Sequence, residues 1–371
     1  MSAPTIATMG AGTGARGSGG PARLRGVEAA RGVAALLVVT FHASHILSIP
    51  SQPDRVAFGG FWMFGRAGVD FFFVLSGFII AYIHAKDVDR PDQVRPYWRK
   101  RLWRIYPTYW VVLTAYMALL LLSPTKEGAE RDPFHLLCSY LLLPEVASPI
   151  LEVGWSLRHE LLFYGLFGLL LLRKGLGQAV LAAWLAGIVW NQAHRMATGV
   201  PYFGGIADTV VFRVFNIQFF FGMAVAALVP RSAWRPRLML ALGAGLFFLN
   251  GMMESFGPHV PNEWPPRHIA YAAGAAMALY GLAVLDRTGR GRVPGWLVAT
   301  GAASYSIYLV HVPVALVLGF LLRPVRLLLP MEVQFIVVVL AAAVTGLILS
   351  LLVEQPLLRL GRTRRSPVQA A

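Results

Sequence analysis

Apolar runs of membrane-spanning length recur along most of this 371-residue chain. They fall near 30–49, 66–85, 105–123, 155–172, 178–195, 210–229, 237–254, 268–285, 300–322 and 332–353. A bilayer core about 30 Å thick is crossed by about 20 helical residues. In lipid every backbone polar group must be satisfied internally, and helices do this within one segment. Charged residues make up only 14% of the chain, against roughly 25% in a soluble domain. The expected fold is all-α: a polytopic membrane protein with about ten transmembrane helices.

The formal net charge is +15. In a membrane protein basic residues first report topology. With both termini inside, most of the 33 lysines and arginines fall in inner segments, above all Lys86–Arg104 and Arg359–Arg365. Both termini are therefore expected in the cytoplasm, with the lipid bilayer rather than nucleic acid as partner. Residues 1–27 hold no acid and lack the apolar core of a signal peptide. They read as a disordered cytoplasmic tail, 28–359 as one integral domain, and 360–371 as a second cytoplasmic tail. The single cysteine, Cys138, excludes an internal disulfide and a Cys metal cluster. No histidine spacing suggests a metal, so none is expected. Within the long outer connection 124–154, the run LLCSYLLL at 136–143 is too short to span and reads as an interfacial or re-entrant helix.

Arg31 and His42 lie eleven residues apart in the first apolar run. Eleven residues are close to three helical turns, so the two side chains share a face, roughly 16 Å apart along the axis. Ionisable groups at such depth are functional candidates by default. A neutral imidazole can take a proton from a hydroxyl and return it, which makes His42 the leading general base. The alternative is a histidine bonded between helices for packing. Arg99, Arg101 and Arg104 crowd the entrance of the third run. They serve either the positive-inside rule or a phosphate site, since positions 101 and 104 share a helix face. Glu160 lies about six residues below the outer boundary, an intramembrane carboxylate that Arg158 nearby would neutralise in a purely structural reading. Trp155 and Tyr164 suit an interface or a sugar-stacking surface. In the second run, Asp70 is placed to orient an acceptor or a histidine, and Ser76 with Gly77 reads first as a packing pair. His311 should lie at the depth of His42, as its partner or as a packed polar residue. Glu354 is expected to cap the inner end of the last span. There is no GxSxG elbow, Walker loop or HExxH.

Five stretches carry a resemblance: R-x10-H (Arg31, His42), GVDFFFVLSGFII, the basic pair Arg101 and Arg104 before IYP, GWSLRHELLFY, and SYSIYLVHVP. In this order they resemble the acyltransferase-3 family of bacterial membrane O-acyltransferases, from about Leu24 to Arg359. The resemblance implies ten core spans in the bacterial inner membrane. It also implies transfer of an acyl group, usually acetyl from acetyl-CoA, to an extracytoplasmic carbohydrate such as exopolysaccharide or lipopolysaccharide. It implies His42 as catalytic residue, Arg31 as its companion, and Arg101 and Arg104 as acyl-CoA contacts. The single-domain form is most similar to exopolysaccharide-modifying members, a form that macrolide acyltransferases share. One departure is Arg-His before Glu160, where many members carry a small or acidic residue; it bears on the acceptor rather than the reaction. The competing class is a transporter or flippase of lipid-linked sugars, which buried Arg, His and Glu also suit. The lack of an internal repeat weighs against it.

Overall fold

The computed structural model describes residues 24–48, 56–122, 131–325 and 328–363, and every regular element among them is helical. The α-helices are α1 (Arg25–Leu47), α2 (Gly68–Ile83), α3 (Val94–Leu122), α4 (Pro133–Leu141), α5 (Gly154–Leu172), α6 (Lys174–Thr198), α7 (Ile217–Leu228), α8 (Pro236–Phe256), α9 (Pro265–Arg287), α10 (Gly295–Ala302), α11 (Ser304–Leu321), α12 (Met331–Leu349) and α13 (Gln355–Thr363). Each of the ten apolar runs coincides with a long helix, or with a helix and the irregular turn beside it. Seven helical stretches are long and apolar enough to cross a membrane: α1, α2, α7, α8, α9, α11 and α12, with their flanking turns. The other three long helices, α3, α5 and α6, are not among these; α3 carries the Arg95–Arg104 cluster, α5 carries Arg158 and Glu160, and α6 is interrupted by Gln178, Asn191 and Gln192. The chain is an all-helical, multi-pass membrane protein. Helix α1 begins at Arg25 and α13 runs to Thr363, so helix reaches into both expected tails. The rest of those tails lies outside the described residues.

Helix α1 packs against α2, α9, α10, α11 and α12. Glycine makes the closest approach possible. A Cβ on Gly65 would sit 2.2 Å from the Leu37 carbonyl oxygen, and one on Gly68 2.3 Å from that of Ala34. The start of α2 therefore lies directly on the helix that carries Arg31 and His42. Helix α7 is set on α2 in the same way, through Gly77 against Phe219 and Gly222 against Val74. Helices α1 and α11 run parallel, since Gly32 meets Gly301 just before α11 and Ile46 meets Gly319 near its end.

The short helix expected at 136–143 is α4. Pro133 opens it, and Asp132 caps it by accepting from the Phe134 amide at 2.9 Å. Its last carbonyls have no partner within the helix and are served by α3. Tyr109 donates to Ser139 O at 2.7 Å, Trp110 to Tyr140 O at 2.9 Å, and Tyr106 to Leu141 O at 2.7 Å. This is how a helix can stop without crossing. The following loop is tied down by Arg158, which donates to the Ala147 carbonyl at 2.6 Å and pairs with Glu145, as His135 also does. Arg158 is thus spent on Glu145, which removes the purely structural reading in which it neutralises Glu160.

Candidate functional site

Helices α1, α2, α3, α5 and α11 enclose a cavity of about 180 Å³. One end of it, at Arg31, Ile80 and Arg101, lies toward the end of the bundle where α1 starts. One wall is acidic. Glu160 Oε1 accepts from Ser76 Oγ at 2.7 Å and from the Tyr164 hydroxyl at 2.5 Å. Both bonds fall on one oxygen, and Oε2 makes none among the described residues. Ser76 therefore serves the cavity, beyond the packing role expected for it with Gly77.

The opposite wall is basic. Arg104 is bonded to Glu354, whose other oxygen accepts from Ser306 Oγ at 2.6 Å. Glu354 is 1% exposed. It is no simple cap: the chain after α12 forms one π-helical turn, Ser350–Glu354, and that turn aims the carboxylate into the bundle. Such single-turn insertions concentrate at functional sites. Arg31 and Arg101 also line the cavity, and neither has an ion-pair partner among the described residues. The Arg101 guanidinium faces the rings of Tyr164 and Tyr97, at 5.9 and 6.0 Å from their centroids.

At its far end the cavity stops at Phe72, Ser156 and Tyr308. Tyr308 OH and Ser156 Oγ are 2.7 Å apart, and the Phe72 ring meets the Tyr308 ring edge-on at 5.8 Å. Beyond Tyr308, one turn further along α11, lies His311. Its Nε2 is 3.1 Å from His42 Nδ1. The partners fix the protons of this pair. His311 Nδ1 faces the Tyr308 carbonyl at 2.7 Å and so carries the hydrogen. Its Nε2 then holds a lone pair, which accepts from His42 Nδ1–H, a group that also lies 3.0 Å from the Val38 carbonyl. Among the described residues nothing bonds His42 Nε2, which keeps the lone pair that a proton acceptor needs.

Of the residues singled out in the sequence, Arg31, Ser76, Arg101, Arg104, Glu160 and Tyr164 converge on the cavity. His42 and His311 meet just past its end. Three others are placed elsewhere. Arg99 is exposed on the side of α3 away from the cavity. Asp70 is buried and holds a different histidine, His268 Nδ1 at 2.7 Å, together with Gln218. Trp155 is boxed in by Phe73, Phe215, His159 and the Arg213 guanidinium. Glu354 was expected only as a cap, and Ser156 and Tyr308 were not singled out. Tyr308 carried a signal, since it is three residues before His311 and so on the same helix face.

A family model for an acyltransferase domain, acyltransferase-3, matches residues 24–355. The chain belongs to this acyltransferase-3 family. It is a membrane acyltransferase. Its relatives include the exopolysaccharide production protein ExoZ of Rhizobium meliloti (strain 1021), 28% identical over 83% of this chain and 94% of that protein. Another is the acyltransferase MdmB of Streptomyces mycarofaciens, 26% identical over 78% of each chain. No solved structure matches the chain significantly. The family match takes in the cavity, the histidine pair and the π turn up to Gln355, so the whole site lies in the shared domain.

Proposed function

We propose that this acyltransferase moves an acetyl group from cytoplasmic acetyl-CoA to a hydroxyl of an extracytoplasmic carbohydrate. The observation that carries this reading is one arrangement: a cavity with two unpaired guanidinium groups that ends beside a histidine with a free Nε2. Arg31 and Arg101, with Arg104 beside them, offer a polyanion charge-assisted hydrogen bonds, and Arg99 adds charge at the surface. Glu160, set by Ser76 and Tyr164, offers a hydrogen-bond acceptor facing Arg31. His42 Nε2 takes the acceptor's hydroxyl proton as its oxygen bonds to the thioester carbon. The C–S bond then breaks, and the proton passes to the leaving thiolate. His311 holds His42 in the required tautomer. The name of ExoZ supports a polysaccharide acceptor.

In this reading 28–359 is one catalytic domain with ten spans in the bacterial inner membrane. The three less apolar helices α3, α5 and α6 complete the ten, and both termini are cytoplasmic because the basic loops lie at that end. A reporter fused at residue 371 should be active only as a cytoplasmic fusion; activity confined to a periplasmic reporter would reverse the orientation.

The donor site has its own test. Arg101→Ala removes an unpaired cation and breaks no ion pair, so the fold should hold. Losing a charge-assisted contact costs about 1.5–3 kcal/mol, roughly 10- to 150-fold in affinity. Acetyl-CoA binding to the purified protein should weaken by that factor, and the gap between variant and wild type should narrow as salt rises. Equal affinity in the two proteins would leave the basic cluster with a topological role only.

A further inference from the structure

Glu152 sits on the loop leading into α5. Its neighbours Leu151 and Val153 are buried, while its own side chain is exposed. The loop is fixed at this point. The Val153 carbonyl accepts from Ser156 Oγ at 3.1 Å and from Tyr308 OH at 3.3 Å. Tyr308 in turn lies 5.6 Å, ring to ring, from His311, the ring bonded to His42. Glu152 is therefore one residue from the carbonyl that holds the Ser156 and Tyr308 hydroxyls at this end of the cavity. The other carboxylates of this stretch are engaged, Glu145 by Arg158 and His135, and Glu160 by Ser76 and Tyr164. Among the described residues Glu152 makes no side-chain hydrogen bond and no ion pair. Its negative charge does not suit a polyanionic donor, which the arginines of the cavity serve. It does suit a neutral ligand rich in hydroxyl donors.

We propose that Glu152 positions the acceptor, its carboxylate accepting a hydrogen bond from one hydroxyl of a polyol so that a neighbouring hydroxyl meets His42 Nε2. The proposal rests on the acyl-transfer reading above. It narrows the acceptor to a diol or polyol, since a mono-alcohol has no second hydroxyl to offer. Glu152 is a positioning residue that acts on the acceptor and not on the donor.

The test compares wild type, Glu152→Ala and Glu152→Asp, purified in vesicles with labelled acetyl-CoA. The acceptors are surface polysaccharide extracted from cells that encode the protein, and n-butanol. In Glu152→Ala the polysaccharide concentration for half-maximal rate should rise about 10- to 100-fold, as expected for a lost hydrogen bond to a charged group. The kcat should change by less than a few-fold, and the KM for acetyl-CoA should not move. The preference for polysaccharide over n-butanol should fall by the same factor, and Glu152→Asp should recover part of it. A merely structural loop residue would depress both acceptors alike, and that result would overturn the proposal. So would a fall in kcat with the polysaccharide KM unchanged, which would assign Glu152 to the His42 ring. Failure of the wild type to acetylate the polysaccharide would instead remove the functional reading beneath it.

Discussion

Alanine at His42 should cut acyl transfer by about 10²–10⁴-fold, the usual contribution of a positioned general base, while the protein still folds and binds acetyl-CoA. The donor cavity is lined by Arg31, three turns back along α1, and does not depend on the imidazole. His42→Gln should fail as badly. The amide can keep a bond to His311 Nε2, but it has no atom that can accept and return a proton. His45 is the internal control. It is exposed and stacked on Phe41, with ring centroids 5.9 Å apart, and His45→Ala should keep most of the activity. His311→Ala should fall between the two. It leaves His42 with only the Val38 carbonyl to fix its tautomer, so the residual rate should exceed that of His42→Ala. Transfer at the wild-type rate by a well-expressed His42→Ala protein would rule out this role.

The second large effect is on stability. Glu354 is buried beneath Arg104, which lines the cavity together with Arg31. Glu354→Ala removes the carboxylate and leaves Arg104 and Arg31 lining one cavity without it. Breaking one side of a buried pair typically costs about 3–5 kcal/mol. The variant should show a clear drop in melting temperature in detergent, or little folded protein at all. The double variant Arg104→Met, Glu354→Gln removes both charges and should recover most of the stability. It should not recover acetyl-CoA affinity, because one of the cavity's cations is gone. A single Glu354→Ala as stable as wild type would mean that the pair adds nothing to the fold.

The first helix was readable because its signal is local. A spacing of eleven places Arg31 and His42 on one face whatever else the chain does, and both point into the site. Helix existence was readable for the same reason, since apolar length alone specifies it. Partner choice was not. Sequence proximity offered Arg158 as a structural partner for Glu160, yet residues two apart on α5 point to nearly opposite sides of the helix. Arg158 serves the loop after α4, and Glu160 serves α2. The pairing of Arg104 with Glu354 spans 250 positions and depends on one extra residue in a turn, which no periodicity reveals. Trp155 and Asp70 looked suited to an acceptor because they are polar or aromatic near the outer boundary. Their neighbours Phe215 and His268 arrive from distant helices and close over them.

The wall formed by Phe72, Ser156 and Tyr308 bears on how the cell tolerates such an enzyme. On the proposed reading the protein hands a group from one aqueous compartment to another and risks becoming a pore, since even a thin thread of water would conduct protons and drain the membrane potential. Here the wettable space ends against two aromatic rings and a hydroxyl pair whose bond is satisfied internally. An acyl chain is slender enough to push past a ring that swings aside for a moment, whereas a standing column of water would need the ring to stay open. Permeability and turnover are thereby set by the same few side chains. Variants that shrink Phe72 or Tyr308 to speed the passage of bulkier acyl groups would also make the membrane more leaky to ions.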